Sequence, residues 1–293
     1  MIRSKRIFIF ILAIIGLIST STQGQTTSKN GGLLFEVSGN GLEKPSYLHG
    51  TFHLLCKDEL KLSSTLRESM EATEKLAFEI DMDDPQLMQK MQGGMMLTNG
   101  KTLQNYVTEE EYTALESHFQ QNLKMNLAQM KTVKPFFLMS MMYPSLLNCK
   151  PVSYEAQLVQ FNKDAGKEVV GLETVARQLE AINAIPLEDA ADQLVKAVND
   201  QEDMQKDFDR MKEAYLSGDL AALNDIIEEA NAEMEGFNEV FLKSRNEEWV
   251  PVIEKMMQEQ PTFIAVGAGH LSGEYGVIAL LREQGYKVRP VNE

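Results

Sequence analysis

Two segments near opposite ends of the chain share one build: an apolar run, a glycine, and a histidine three residues later. They are Ser46-Tyr47-Leu48-His49-Gly50-Thr51-Phe52-His53 and Phe263-Ile264-Ala265-Val266-Gly267-Ala268-Gly269-His270. The chain holds only four histidines, so two of them closing matched strand-like segments form a pattern. In open α/β sheets ligands bind beyond the carboxyl ends of the strands. A glycine there lets the backbone turn sharply, and the histidine can then point into the crevice. Two such imidazoles plus a carboxylate compose the ligand set of a divalent metal with open positions. Carboxylates occur at like places: Glu79 lies near the end of the apolar run 76–80, and Glu173 follows the run 168–172. A second tier is Arg245 and Asn246 in Ser244-Arg245-Asn246-Glu247-Glu248-Trp249, of which the arginine carries the charge. It could bind a substrate carboxylate or phosphate, or orient a glutamate. The plainer reading of Arg245 and Trp249 is an ion pair and a packing anchor, and a lone histidine after a strand is ordinarily structural.

The elements that must carry these residues read as strand-rich ends around a helical middle. Residues 33–37 and 47–52, separated by Gly and Pro, form a hairpin. Residues 63–73 have helical spacing, and 76–80 form a buried strand ending in the acidic residues Asp81, Asp83 and Asp84. Residues 85–142 contain several helices, broken at Gly93-Gly94, Asn99-Gly100 and Pro135. Thr108 and Glu111 match a capping box. A helix over 155–165, a turn at Gly166-Lys167 and a strand over 168–172 make another α/β unit. Residues 187–257 are acidic and helical, interrupted at Ser217-Gly218-Asp219. The chain closes with a strand at 263–266, a tight turn at Gly267-Ala268-Gly269, a helix over 276–283 and a strand over 287–291. The fold class is therefore α/β (α+β), a mixed central sheet with large helical insertions at about 85–150 and 187–257. The many methionines, Met88, Met91, Met95, Met96, Met139, Met141 and Met142 among them, read as helical core or as a soft surface for apolar ligands.

Composition narrows the function classes. Met1-Ile2-Arg3-Ser4-Lys5-Arg6, a run of a dozen apolar residues and a Ser/Thr/Gln tract describe a secretory signal peptide over 1–24. The run is short of the roughly 20 residues a spanning helix needs. After its cleavage residues 25–293 are the single mature domain, without a stable membrane span; an uncleaved N-terminal anchor is the rival reading. Loss of Arg3, Lys5 and Arg6 takes the formal charge from −15 to −18. An acidic surface of that kind argues against a nucleic-acid ligand, because phosphate backbones need basic side chains. Cys56 and Cys149 could pair in an oxidising compartment, periplasmic or extracellular. Cys56 and His53 could alternatively be read as ligands, although they lack the clustered spacing of a structural zinc site.

Taken together, residues 47–55, 76–79, 170–174 with Gln178, Arg245-Asn246 with Trp249, and 266–271 resemble the TraB/GumN family. Gly273, Gly276-Val277, Leu280-Leu281 and residues 285–288 fit its C-terminal pattern, in the family's order and over essentially the whole mature chain. Where members often carry an aspartate ahead of the helix after Pro151, this chain has Glu155. The resemblance implies a fold of the erythromycin-esterase and haem-binding ChaN-like group. It also implies a link to Tiki proteins, membrane-tethered metal-dependent proteases that use two Gly-x-x-His motifs with glutamates. Carried over, it makes His53, His270 and Glu79 the metal set and Glu79, Glu173 and Arg245 the catalytic set, with Glu79 as the base. The cofactor would be manganese, cobalt or zinc and the substrate a peptide or protein. The competing expectations are a non-catalytic haem- or peptide-binding module, and an accessory protein of export or surface-polysaccharide assembly.

Overall fold

The computed structural model describes residues 32–231 and 238–292. The expected leader lies outside the described residues. In chain order the strands are β1 (Leu34–Ser38), β2 (Ser46–Thr51), β3 (Leu54–Cys56), β4 (Lys75–Phe78), β5 (Pro151–Ser153), β6 (Glu168–Gly171), β7 (Thr262–Gly267) and β8 (Lys287–Pro290). The helices are α1 (Ser64–Glu71), α2 (Leu87–Met95), α3 (Glu109–His118), α4 (Pro135–Ser140), α5 (Tyr154–Asn162) and α6 (Val175–Asn183). They continue as α7 (Leu187–Asn199), α8 (Gln201–Leu216), α9 (Leu220–Asn231), α10 (Ser244–Glu259) and α11 (Val277–Glu283).

Six strands form a mixed sheet in the order β6-β4-β7-β2-β1-β8. β6, β4, β7 and β2 run parallel, while β1 is antiparallel to both β2 and β8. The expected hairpin and mixed α/β sheet are present. A parallel strand covered on both faces must be apolar along its whole length, and every residue of β7 is buried. Its side chains alternate between two cores. Phe263 and Ala265 join the larger one with Leu76 and Phe78, against the helical insertions. Ile264 and Val266 face Trp249 and Ile253 of α10 and Val277 and Leu281 of α11.

Local chemistry explains most element ends. Ser63, Thr108, Ser153 and Thr174 each accept a backbone N–H at a helix start, and Thr108 and Glu111 complete the expected capping box. Asn99, Gly100, Gly166 and Gly218 take positive φ at the expected turns. Two expectations change. α2 runs through Gly93-Gly94 instead of breaking there, and Gly94 permits its close packing on α6: a Cβ on Gly94 would overlap the Leu179 side chain. Residues 267–269 do not form a separate tight turn, since β7 extends through Gly267 and a short 3-10 turn follows at Ala268–His270. Of the methionines, Met139 and Met142 are core, whereas Met88 stands exposed on α2.

A second, two-stranded sheet pairs β3 with β5 and is closed by a Cys56–Cys149 disulfide. No helix of the described residues is long and apolar enough to cross a membrane.

Candidate active site

The four parallel strands end side by side, and each delivers one of the expected residues. Glu79 follows β4, Glu173 follows β6, His53 follows β2 and His270 follows β7. Thr51 of β2 is directly paired with Gly267 of β7. Adjacent strands lie about 4.8 Å apart, so the two Gly-x-x-His segments emerge as neighbours. Gly50 does not serve the turn. It lies within β2 at negative φ, and an added Cβ would sit 2.8 Å from Leu271 Cδ1 and 3.1 Å from Ala268 Cα. The glycine is therefore a space requirement that lets the His270 turn fold down on the neighbouring strand.

Arg245, on the first turn of α10, is the hub. It is only 1% exposed, with its guanidinium 4.7 Å from the Trp249 ring centroid. Nη2 donates to Glu79 Oε2 at 2.9 Å and to Glu173 Oε1 at 2.5 Å, while Nε reaches both Glu173 oxygens at 3.0 and 3.2 Å. Nη1 donates to the Phe241 carbonyl at 3.1 Å and faces His270 Nε2 at 3.3 Å. Of the roles open to Arg245 in the sequence, the geometry favours orienting the glutamates. Its donors are committed within the protein.

Glu79 also accepts the Gly267 N–H on Oε1 at 2.9 Å and a Gln178 amide N–H on Oε2 at 3.3 Å. Burial pushes its carboxyl up, but His270, Arg245, His53 and the Gly267 N–H together hold it below its ordinary value. Glu173 moves the other way: burial raises it despite Arg245, and the charge of Glu79 adds to the rise. Arg245 itself is held further into its charged form, the two glutamates outweighing its burial.

The histidines have assignable tautomers. Asn246 Nδ2 donates to the Tyr275 carbonyl at 2.8 Å and the His270 carbonyl at 3.3 Å, so its Oδ1 must be the atom 2.6 Å from His270 Nδ1. An amide oxygen only accepts, hence Nδ1 carries the proton and Nε2 the lone pair. Burial drops the His270 pKa to about 3, with Glu79 opposing that fall. The imidazole is accordingly neutral at pH 7, with Nε2 3.9 Å from Glu79 Oε1. His53 Nδ1 lies 2.7 Å from Glu155 Oε1. Burial raises Glu155, but the His53 charge and hydrogen bond and the Thr51 hydroxyl outweigh it, leaving a pKa of about 2. An ionised carboxylate has no proton to give, so His53 Nδ1 is the donor.

The donor chemistry fits a divalent cation: two imidazoles with Nδ1–H tied to an oxygen acceptor, and one ionised carboxylate facing one of them. Ligand spacing is not reached, since among the described residues no three His, Cys, Asp or Glu side chains converge closely enough to hold a metal. Asn246 stood beside Arg245 in the second tier of the sequence and Glu155 appeared there only as a departure from the family's aspartate, while Thr51 was not singled out. Thr51 had one legible signal: it shares a strand face with His53 by period-two alternation.

The profile of the TraB/PrgY/gumN family matches residues 33–290. "Metalloprotease TIKI1" of Danio rerio is 22% identical over 84% of this chain and 61% of its own length. "Metalloprotease TIKI2" of Danio rerio is 22% identical over 83% of this chain and 58% of its own length. The chain thus spans about three fifths of these curated relatives. No solved structure matches.

Proposed function

Because this chain belongs to the TraB/PrgY/gumN family, we propose that it is an exported, divalent-metal-dependent hydrolase acting on peptide bonds. The observation that carries the reading is the pair of strand-end imidazoles, His53 and the neutral His270, with the ionised, buried Glu79 facing His270. Distant similarity to two metalloproteases supports the reaction class.

In this reading His53, His270 and Glu79 hold the ion, which would be manganese, cobalt or zinc. Such an ion, when bound, polarises a peptide carbonyl and acidifies a water. Glu79 is ionised through neutral pH, so it is in the proton-accepting form required of a general base. Arg245 and Gln178 fix one of its oxygens and Gly267 N–H aims the other toward His270. Asn246 and Glu155 each accept the Nδ1–H of one imidazole, so that Nε2 is the nitrogen left to face an ion. Glu173 balances the Arg245 charge. Export is supported by the basic-then-apolar start of the sequence and by the Cys56–Cys149 bond, which persists in oxidising compartments. A haem ligand is a poorer fit for His270, which faces Arg245 and Glu79 instead of an apolar slot.

The test is metal content of protein purified without chelator, followed by a peptide-library assay with added manganese, cobalt or zinc. His53→Ala and His270→Ala should each lose bound metal and cleavage while keeping the wild-type circular dichroism spectrum. Full metal occupancy in both variants would sink the proposal.

A further inference from the structure

Glu155 lies in neither Gly-x-x-His segment, yet it is hydrogen-bonded to His53. It is 7% exposed and stands at the first turn of α5, just beyond β5. Its Oε1 accepts the Thr51 hydroxyl at 2.6 Å and His53 Nδ1 at 2.7 Å, and its Oε2 accepts the Ser153 hydroxyl at 3.0 Å. We propose that Glu155 is the positioning residue of the site: it fixes the ring plane of His53 and commits it to the Nδ1–H tautomer. The inference rests on the reading of His53 as a working group.

The surrounding architecture suits that task. Thr51 ends β2 and His53 directly precedes β3, while Ser153 ends β5 and caps α5. Leu54 pairs with Ser153 across the small sheet, so the histidine and the carboxylate are brought together by adjacent ladder positions. The disulfide joins the opposite end of that sheet, where Cys56 pairs with Pro151. The two hydroxyls leave Glu155 little rotational freedom, and each is supplied by a strand end. A carboxylate so held does to His53 what Asn246 does to His270. In each case an oxygen takes Nδ1–H and leaves Nε2 as the nitrogen that can bind a cation. Acceptors of this kind raise ligand basicity, and their removal costs roughly 10–100-fold in metal affinity.

The experiment is long-range 1H–15N NMR of histidine-labelled, metal-free protein, followed through a pH titration so that each tautomer is read from the neutral ring, together with titration of manganese, cobalt and zinc. Wild-type His53 should show the Nδ1–H pattern. In Glu155→Ala that pattern should give way to the Nε2–H form or a mixture, and metal affinity should fall by roughly 10–100-fold. Glu155→Gln retains an acceptor and should keep Nδ1–H, with a smaller loss of affinity and a weaker hydrogen bond read from the Nδ1 proton shift. If Glu155→Ala does not fold, the proton shift and affinity of Glu155→Gln decide. An unchanged His53 tautomer in Glu155→Ala, or an unchanged proton shift and affinity in Glu155→Gln, overturns the proposal. Failure of the metal reading is distinct: His53→Ala would then bind metal like wild type, while the effect of Glu155 on the tautomer would persist.

Discussion

Replacing Arg245 by Met tests the hub most directly, because Met fills much of the guanidinium's volume while removing its charge. The change leaves two carboxylates without their cation in a site where the Arg245, Glu79 and Glu173 side chains are 2%, 9% and 3% exposed. Breaking a buried pair from one side costs about 3–5 kcal/mol. At roughly 2–3 °C per kcal/mol for a chain of this size, the melting temperature should fall by about 6–15 °C at pH 7. The loss should also depend on pH. In the wild type Glu79 is held below its ordinary value, so it stabilises the fold at neutral pH and that contribution disappears as pH falls through its folded pKa. Glu173 is raised, so its ionised form costs stability at neutral pH and the cost is relieved on acidification. Without Arg245, burial dominates both groups and both folded values rise, so protonation relieves two carboxylates instead of one. The gap between variant and wild type should therefore narrow as pH is lowered from 7 toward 5. Calorimetric unfolding at three pH values reads this directly. A drop smaller than about 2 °C that does not change with pH would refute the view of Arg245 as the neutralising hub.

Two further substitutions probe what holds the strand ends in place. Gly50→Ala should lower stability by about 1–3 kcal/mol through overpacking against Leu271 and Ala268. Chemical denaturation measures it, and partial rescue by trimming Leu271 to Ala would identify the contact. Cys56→Ser with Cys149→Ser opens a link between residues 93 apart in sequence. Loop entropy sets the expected cost at about 4–5 kcal/mol, read as a lower denaturant midpoint that reducing agent reproduces in the wild type and leaves unchanged in the double variant.

Much of the scaffold could be read from local pattern, and the reason is visible in particular residues. The all-apolar β7, the Thr108–Glu111 capping box and the positive-φ turn at Asn99-Gly100 each follow from interactions within a few residues. The approach of His53, Glu79, Glu173 and His270 was also accessible, since all four sit just beyond apolar runs and parallel strands end on one edge of a sheet. What pattern alone could not supply was anything set by contact between distant segments. Gly93-Gly94 looks like a break until Leu179 arrives to pack on Gly94.

Gly50 and Glu155 carry the same lesson further into the site. Near the end of a strand, a glycine reads as conformational freedom, but Gly50 is needed because Leu271 and Ala268 occupy the place of its side chain. Glu155, 102 residues from His53, has a composition signal no different from any helix-starting glutamate. Its role exists only because the β3–β5 ladder sets Ser153 opposite Leu54 and thereby carries α5's first turn to the end of β2. The residues that would touch a cation announce themselves by type and strand position. Those that orient them act through tertiary pairing, so the contacts of Glu155 with His53 and of Asn246 with His270 are a property of the fold as a whole.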